Sequence, residues 1–86
     1  MRQFSQIACQ LSFYPLNESN IDLSIAKVLK MIDESGLSAE TGSMSTVIRG
    51  DSDMVFTLLR KITTIMSNDG CQFSMNIVVS NICGCD

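Results

Sequence analysis

Two stretches of the chain alternate between apolar and polar residues, as strands with one buried face do. The first spans residues 4–14, and the second runs from Cys71 to about Ser80. Their apolar positions are Ile7, Cys9, Leu11 and Phe13 in the first stretch, and Cys71, Phe73, Met75, Ile77 and Val79 in the second. Pro15 is expected to end the first strand, because proline cannot donate a hydrogen bond to a neighbouring strand.

Two further stretches repeat apolar residues every three or four positions, which predicts helices that each bury one stripe. The stripe is Ile21, Ile25, Val28, Leu29 and Ile32 in the first helix, and Val55, Leu58, Leu59, Ile62 and Met66 in the second. Ser19 or Asn20 is the expected N-cap of the first helix, and Asp51 that of the second. Gly36 and Gly70 are expected to end the helices, because glycine tolerates the left-handed conformation of a C-terminal cap.

Between the helices, Gly42 and Ser43 separate two short segments, at 38–41 and at about 44–49, that indicate a hairpin. The element order is therefore βαββαβ, and right-handed crossovers fold such a chain into a ferredoxin-like sandwich. This α+β fold is a four-stranded antiparallel sheet with two helices on one face. We expect strands one and three to be central and parallel, with strand four beside strand one and strand two beside strand three.

The sheet face that the helices leave open is predicted to be polar. It carries Gln10, Ser12, Tyr14, Gln72, Ser74, Asn76 and Ser80, joined by Ser45, Val47 and Arg49 if Met44 and Ile48 face the helices. Hydroxyls, an amide and an aromatic ring placed together could hold a planar heterocycle by stacking and hydrogen bonding. The alternative is a polar face that is exposed to solvent without binding a ligand, or that is buried in a dimer.

Composition limits the class of protein. The chain has 86 residues, of which 45% are hydrophobic and 17% charged, so we expect one soluble domain over residues 1–86 with a single two-layer core. No apolar run approaches the roughly 18 residues that a membrane span needs, which predicts no membrane insertion. The first residues lack the apolar block of a secretion signal, so a cytoplasmic location is expected.

Charge narrows the choice of ligand. The formal net charge is −3. The sequence has no histidine, which is the usual general base and the commonest metal ligand, so we do not expect an enzyme. The six Lys and Arg residues are scattered, so no basic stripe exists that could neutralise nucleic-acid phosphates. A neutral or cationic small molecule fits this balance better than DNA, RNA or a polyphosphate.

The four cysteines fall into two groups. Cys9 and Cys71 occupy apolar strand positions and are expected to be buried as small hydrophobic residues. Cys83 and Cys85 form a Cys-Gly-Cys tail, which supplies two of the four ligands of a closed zinc site. We expect the tail to have no metal and the protein no cofactor; a thiol-based metal or redox carrier is the alternative.

Three segments together resemble the YkoF-type domains that bind thiamine or its hydroxymethylpyrimidine moiety. They are residues 8–16 (ACQLSFYPL), residues 44–50 (MSTVIRG), and Met75-Asn76 followed by the cysteine-glycine tail. The resemblance covers roughly residues 7–86. It extends more loosely to the related single-domain thiamine-binding family, through Ser35-Gly36-Leu37 and Gly50-Asp51.

The resemblance implies a ferredoxin-like domain that binds thiamine or hydroxymethylpyrimidine without turnover, in vitamin uptake or salvage. Carried over residue by residue, it assigns ligand contacts to Ser12, Tyr14, Ser45, Thr46 and Asn76. The chain departs from the family at Gln10, where an arginine is usual, so ligand preference is expected to differ. YkoF-type proteins carry the domain twice, whereas this chain carries it once, which implies a homodimer or higher homo-oligomer. The rival interpretation is an ACT-like regulatory or structural dimer module.

Overall fold

A computed structural model of the chain describes residues 6–16, 20–42 and 45–81. Its elements are β1 (Gln6–Leu16), α1 (Ile21–Glu34), β2 (Ser38–Thr41), β3 (Thr46–Asp51), α2 (Ser52–Asn68) and β4 (Gln72–Ser80). The strands form one sheet in the order β2-β3-β1-β4, with antiparallel pairing throughout. The predicted ferredoxin-like architecture and the predicted neighbours of each strand are confirmed.

The central pair of strands differs from the expectation, because β1 and β3 are antiparallel and not parallel. Helix α1 returns the chain across the sheet, so β2 starts in the same direction as β1. The tight hairpin then reverses the chain once more before β3 pairs with β1. The parallel arrangement was therefore wrong, because the chain reverses twice between β1 and β3.

Strand β1 continues through Pro15, where we expected it to end. Its pairing with β3 stops at Leu11 opposite Thr46, whereas its pairing with β4 runs on to Leu16. Beyond Leu11, β1 therefore has one strand neighbour, and Pro15 needs no hydrogen-bond donor on the other side. Proline is tolerated at such an edge.

The core lies between the helices and the inner face of β1 and β3. Its most completely buried side chains are Cys9, Ile48, Val55, Ile62 and Met66. All five members of the predicted α2 stripe are buried. In α1, however, Ile21 is exposed at the first turn, while Ser24 and Met31 are buried. The buried Ser24 hydroxyl has a polar contact, because it accepts a hydrogen bond from the Cys71 thiol at 4.0 Å.

The helix ends agree with the sequence. The Asn20 side chain accepts a hydrogen bond from the Leu23 amide at 3.0 Å and caps α1. Asp51 does the same for the Asp53 amide at 3.2 Å and caps α2. Backbone φ is +81° at Gly36 and +82° at Gly70, so both glycines adopt the left-handed conformation that a side chain would strain.

Strand β4 is covered along half of its length. Phe73 and Met75 pack against the core, and the rings of Phe13 and Phe73 lie 5.1 Å apart. Ile77 and Val79 point to the same side but are exposed, contrary to the prediction that this whole face is buried. The reason is that the helices pack on β1 and β3. They leave the C-terminal half of β4, which contains Ile77 and Val79, uncovered.

Candidate functional site

A cavity of about 140 Å³ opens between α1 and the sheet. It arises from the stagger of the two central strands. Beyond Leu11, β1 has no β3 residue beside it, because β3 begins only at Thr46. Thr41, Gly42, Ser45 and Thr46 line the cavity on the other side of this gap.

The cavity has apolar walls and a polar rim. The walls are formed by Leu11, Phe13, Ile25, Val28, Leu29 and Ile32, and the rim by Ser12, Thr41, Gly42, Ser45 and Thr46. None of these lining residues is charged. Such a site can surround a neutral ring by contact with its faces and can offer hydroxyls to polar atoms on its edge.

Three of the five residues assigned to the ligand meet at this cavity. Ser12, Ser45 and Thr46 all line it. Thr46 is buried, with 6% of its surface exposed, and its partner across the central strands is Leu11, so it faces the helices. The resemblance had assigned Thr46 to the ligand without indicating this orientation.

The other two assigned residues lie elsewhere. Tyr14 and Asn76 are exposed on the open sheet face, beyond the lining of the cavity. Asn76 is the direct register partner of Ser12, and Tyr14 lies two residues further along β1. Ser12 therefore connects the two groups, because it borders the cavity and also neighbours Asn76.

Ser45 also connects the two sides of the sheet. The Gln10 side-chain nitrogen donates a hydrogen bond to the Ser45 hydroxyl at 3.2 Å, and Gln10 is exposed on the open face. This contact tethers the residue before β3 to β1 at the mouth of the cavity. Gln10 thereby holds Ser45 beside the cavity.

Sequence patterns missed part of the cavity. Ile25 and Leu29 were predicted as ordinary core residues, and Thr41 and Gly42 were predicted only as parts of a hairpin. These four residues line one cavity because of where β3 starts relative to β1. Residue spacing along the chain does not predict that position. The interruption of the alternating pattern at Gly42 and Ser43 was the available signal.

The open face has a distinct electrostatic character. Its charged pair, Arg49 and Glu40, lies on β3 and β2, 4.0 Å apart. The outward positions of β1 and β4 are uncharged: Gln6, Ala8, Gln10, Ser12, Tyr14 and Leu16 on β1, and Gln72, Ser74, Asn76, Val78 and Ser80 on β4. This half of the face is therefore suited to uncharged contacts.

Both cysteines of the described residues lie in the interior of the domain. Cys9 and Cys71 are both free and buried, and burial raises the pKa of the Cys9 thiol above its ordinary value. Among residues 6–16, 20–42 and 45–81, no group of three His, Cys, Asp or Glu side chains could hold a metal ion. The tail cysteines Cys83 and Cys85 lie outside the described residues.

No helix within the described part of the chain has both the length and the apolar character needed to cross a membrane. Strand order, helix placement and the cavity thus define a small two-layer domain with a cavity under α1.

Comparison with solved structures supports the same fold. A protein proposed to act in thiamine biosynthesis or salvage in Thermotoga maritima has a TM-score of 0.78 and 13% identity, covering 87% of this chain and 82% of that chain. A hypothetical protein from Methanocaldococcus jannascii has a TM-score of 0.80 and 18% identity, covering 95% and 86%. A domain of unknown function from Bacillus cereus has a TM-score of 0.80 and 17% identity, covering 96% and 84%.

Sequence comparison identifies the family. No curated protein matches the chain. A family profile described as thiamine-binding protein, in contrast, matches residues 9–81, which include both helices and all four strands except the first residues of β1. The resemblance to thiamine-binding domains is thereby confirmed, and the chain belongs to the thiamine-binding protein family.

Proposed function

We propose that the protein binds thiamine or its hydroxymethylpyrimidine moiety, with the pyrimidine ring in the cavity under α1. The observation that carries this proposal is the size of the cavity, about 140 Å³. An apolar protein cavity of about 150 Å³ accommodates benzene. The cavity therefore has room for one six-membered ring, and the remainder of thiamine extends out of it.

The chemistry of the lining suits an aminopyrimidine. Leu11, Val28 and Leu29 supply aliphatic contacts to the faces of a ring. The hydroxyls of Ser45 and Thr46 can each donate and accept a hydrogen bond, which matches an edge that carries an amino group beside ring nitrogens. A carboxylate or phosphate would enter without a cationic partner, because the lining is uncharged.

The thiazolium of thiamine extends past Ser12 to the open face in this proposal. There Tyr14 presents an aromatic ring, which can attract a cation over its face. Asn76, the register partner of Ser12, offers an amide beside it. The net charge of −3 also favours a cationic ligand over thiamine diphosphate.

Binding proceeds without turnover in this proposal. Among the described residues, the cavity is lined by hydroxyls and by aliphatic and aromatic side chains, and by no acidic or basic residue that could transfer a proton near neutral pH. A binding protein of this kind would serve vitamin uptake or salvage, in the cytoplasm.

Self-association through the open face is part of the proposal. The uncharged half of that face includes Tyr14, Leu16 and Val78, three large side chains that are exposed. Packing it against a second copy would remove apolar surface from water without burying a charged side chain. The expected assembly is a homodimer or a dimer of dimers.

Calorimetric titration tests the proposed ligand. Hydroxymethylpyrimidine and thiamine should both bind, because both place the same ring in the cavity. Thiamine diphosphate should bind at least about tenfold more weakly, since its charges add repulsion and desolvation cost. Binding of an amino acid from a panel of twenty would favour the ACT-like alternative, and stoichiometric zinc binding would favour the thiol carrier. Absence of heat with both pyrimidine ligands would refute the proposal.

A further inference from the structure

Ser45 is held beside the cavity at two points. Its backbone carbonyl accepts a hydrogen bond from the Gly42 amide at 2.8 Å. Its side-chain hydroxyl accepts a second hydrogen bond from the side-chain nitrogen of Gln10 at 3.2 Å. The backbone and the side chain of this lining residue are therefore both positioned before a ligand arrives.

The sheet directs the Gln10 side chain towards Ser45. The register partners of Gln10 are Val47 on β3 and Val78 on β4, and neither side chain has a polar atom that could bind its amide. Ser45 lies two residues before Val47, at the diagonal position that a long side chain reaches from the neighbouring strand. Gln10 is exposed on the open face and is not one of the residues that line the cavity. It therefore influences a ligand in the cavity through Ser45.

The direction of the bond between Gln10 and Ser45 determines what the hydroxyl can offer to a ligand. A serine hydroxyl has one proton to donate and two lone pairs that accept. The nitrogen of a glutamine side chain can only donate, so Ser45 uses a lone pair for Gln10 and keeps its proton. That proton is left for an acceptor atom in the cavity.

We infer that Gln10 is a positioning residue that makes Ser45 a hydrogen-bond donor to the ligand, so that the site selects a ring with an unprotonated nitrogen at this edge. The inference rests on the proposed binding of hydroxymethylpyrimidine and adds which form of the ring is accepted. In hydroxymethylpyrimidine, the ring nitrogen beside the amino group accepts a hydrogen bond. In its deaminated analogue, a pyrimidinone, the same nitrogen carries a proton and donates. Two donors would then face each other, which leaves a polar group unpaired in the cavity.

Calorimetric titration of the full chain with hydroxymethylpyrimidine and with the deaminated pyrimidinone tests the inference. The preference, defined as the ratio of the two dissociation constants, should be at least about tenfold in favour of hydroxymethylpyrimidine. Gln10→Glu replaces the donor by a carboxylate that only accepts, so Ser45 gives its proton to the carboxylate and turns lone pairs to the ligand. The preference should then fall by at least about tenfold. Gln10→Met keeps the length of the side chain without a donor or a charge and should lower the preference less.

The matched control is Gln6→Glu, which adds the same charge at an exposed position of the same face of β1 and should keep the parent preference. In a Ser45→Ala background, Gln10→Glu should change the preference by less than about twofold, because Gln10 acts through that hydroxyl.

Three results would overturn the inference and leave the proposed ligand in place. They are equal binding of both compounds to the parent, an unchanged preference in Gln10→Glu, and an equally large effect of Gln10→Glu in the Ser45→Ala background. Absence of binding of both compounds to the parent would refute the proposed function, and the inference with it.

Discussion

The buried hydroxyl of Thr46 is the first residue-level test of the proposed ligand site. It is the first residue of β3, it is almost fully buried, and it lines the cavity. Thr46→Val keeps the shape of the side chain and removes the hydroxyl. If that group bonds the pyrimidine edge, the affinity for hydroxymethylpyrimidine should fall by roughly 5-fold to 100-fold, the cost of leaving a buried polar group unpaired.

Calorimetry and urea unfolding check this prediction together. The free energy of unfolding should change by no more than about 1.5 kcal/mol, the contribution of one hydrogen bond, because the side chain keeps its shape and loses only its hydroxyl. Thr57→Val, at an exposed position of α2, is the matched control and should leave affinity unchanged. Equal affinities for the parent and the Thr46 variant would remove Thr46 from the site.

Tyr14 and Asn76 test whether the ligand reaches the open face. Tyr14→Ala should weaken thiamine binding more than hydroxymethylpyrimidine binding, since only thiamine carries the cation that the ring would face. Asn76→Ala should weaken binding by about 1 to 3 kcal/mol if its amide contacts the ligand. Neither change should reduce the thermal midpoint noticeably, because both side chains are exposed. Titration of both ligands into both variants would show no change if the open face is not used.

Cysteine reactivity gives a further residue-level prediction. Burial and the raised pKa of Cys9 both disfavour attack by its thiolate. In a Cys83→Ser/Cys85→Ser variant, an alkylating reagent at pH 7 should label no thiol in the folded protein and two thiols in urea. The double change should also leave ligand binding and stability within about 0.5 kcal/mol. Loss of folding, or a lower thermal midpoint of the parent on chelator addition, would instead support a metal-binding tail.

At the scale of the elements, helices were the most predictable feature. The apolar stripe of α2 and the caps Asn20 and Asp51 follow from residue spacing and local hydrogen bonding, and all agree with the structure. The predicted end of β1 was wrong, because proline is tolerated at position 15, where β1 has no β3 residue beside it. The exposure of Ile77 was not predicted, because the alternating pattern does not show which part of β4 the helices cover.

The turn at Gly70 offers a test at this scale. Its φ of +82° is unfavourable for any residue with a Cβ, so Gly70→Ala should lower the free energy of unfolding by about 1 to 2 kcal/mol. No atom would obstruct the added methyl group, which isolates the conformational effect. Asn68→Ala, in the last helical residue, is the control and should change stability by less than about 0.5 kcal/mol. Equal urea midpoints for the two variants would contradict the backbone argument.

For the whole molecule, the fold and the family could be predicted from the sequence, whereas the cavity could not. Alternation and stripes predict which side of each element faces the core, and they predict the open face correctly. The cavity results from a stagger between β1 and β3, and the end of β2 and the start of β3 contribute Thr41 and Thr46 to its lining. Such a volume depends on the assembled layers. Alternation placed Ser12 and Ser45 on a polar sheet face, and only the resemblance pointed to Thr46.

The central claim is that a pyrimidine ring occupies the cavity under α1. Leu29, on the wall of the cavity, is partly buried and can be enlarged into the empty space. Leu29→Phe should fill the volume that the ring requires and keep the thermal midpoint equal or higher. Leu23→Phe, at an exposed position of the same helix, is the control.

Calorimetric titration of hydroxymethylpyrimidine into the parent and these two variants is the most direct test. The account predicts equal binding to the parent and to Leu23→Phe, and an affinity at least about 100-fold lower for folded Leu29→Phe, which corresponds to about 2.7 kcal/mol. Undiminished binding to folded Leu29→Phe would contradict the claim, because the ring would then lie outside the cavity.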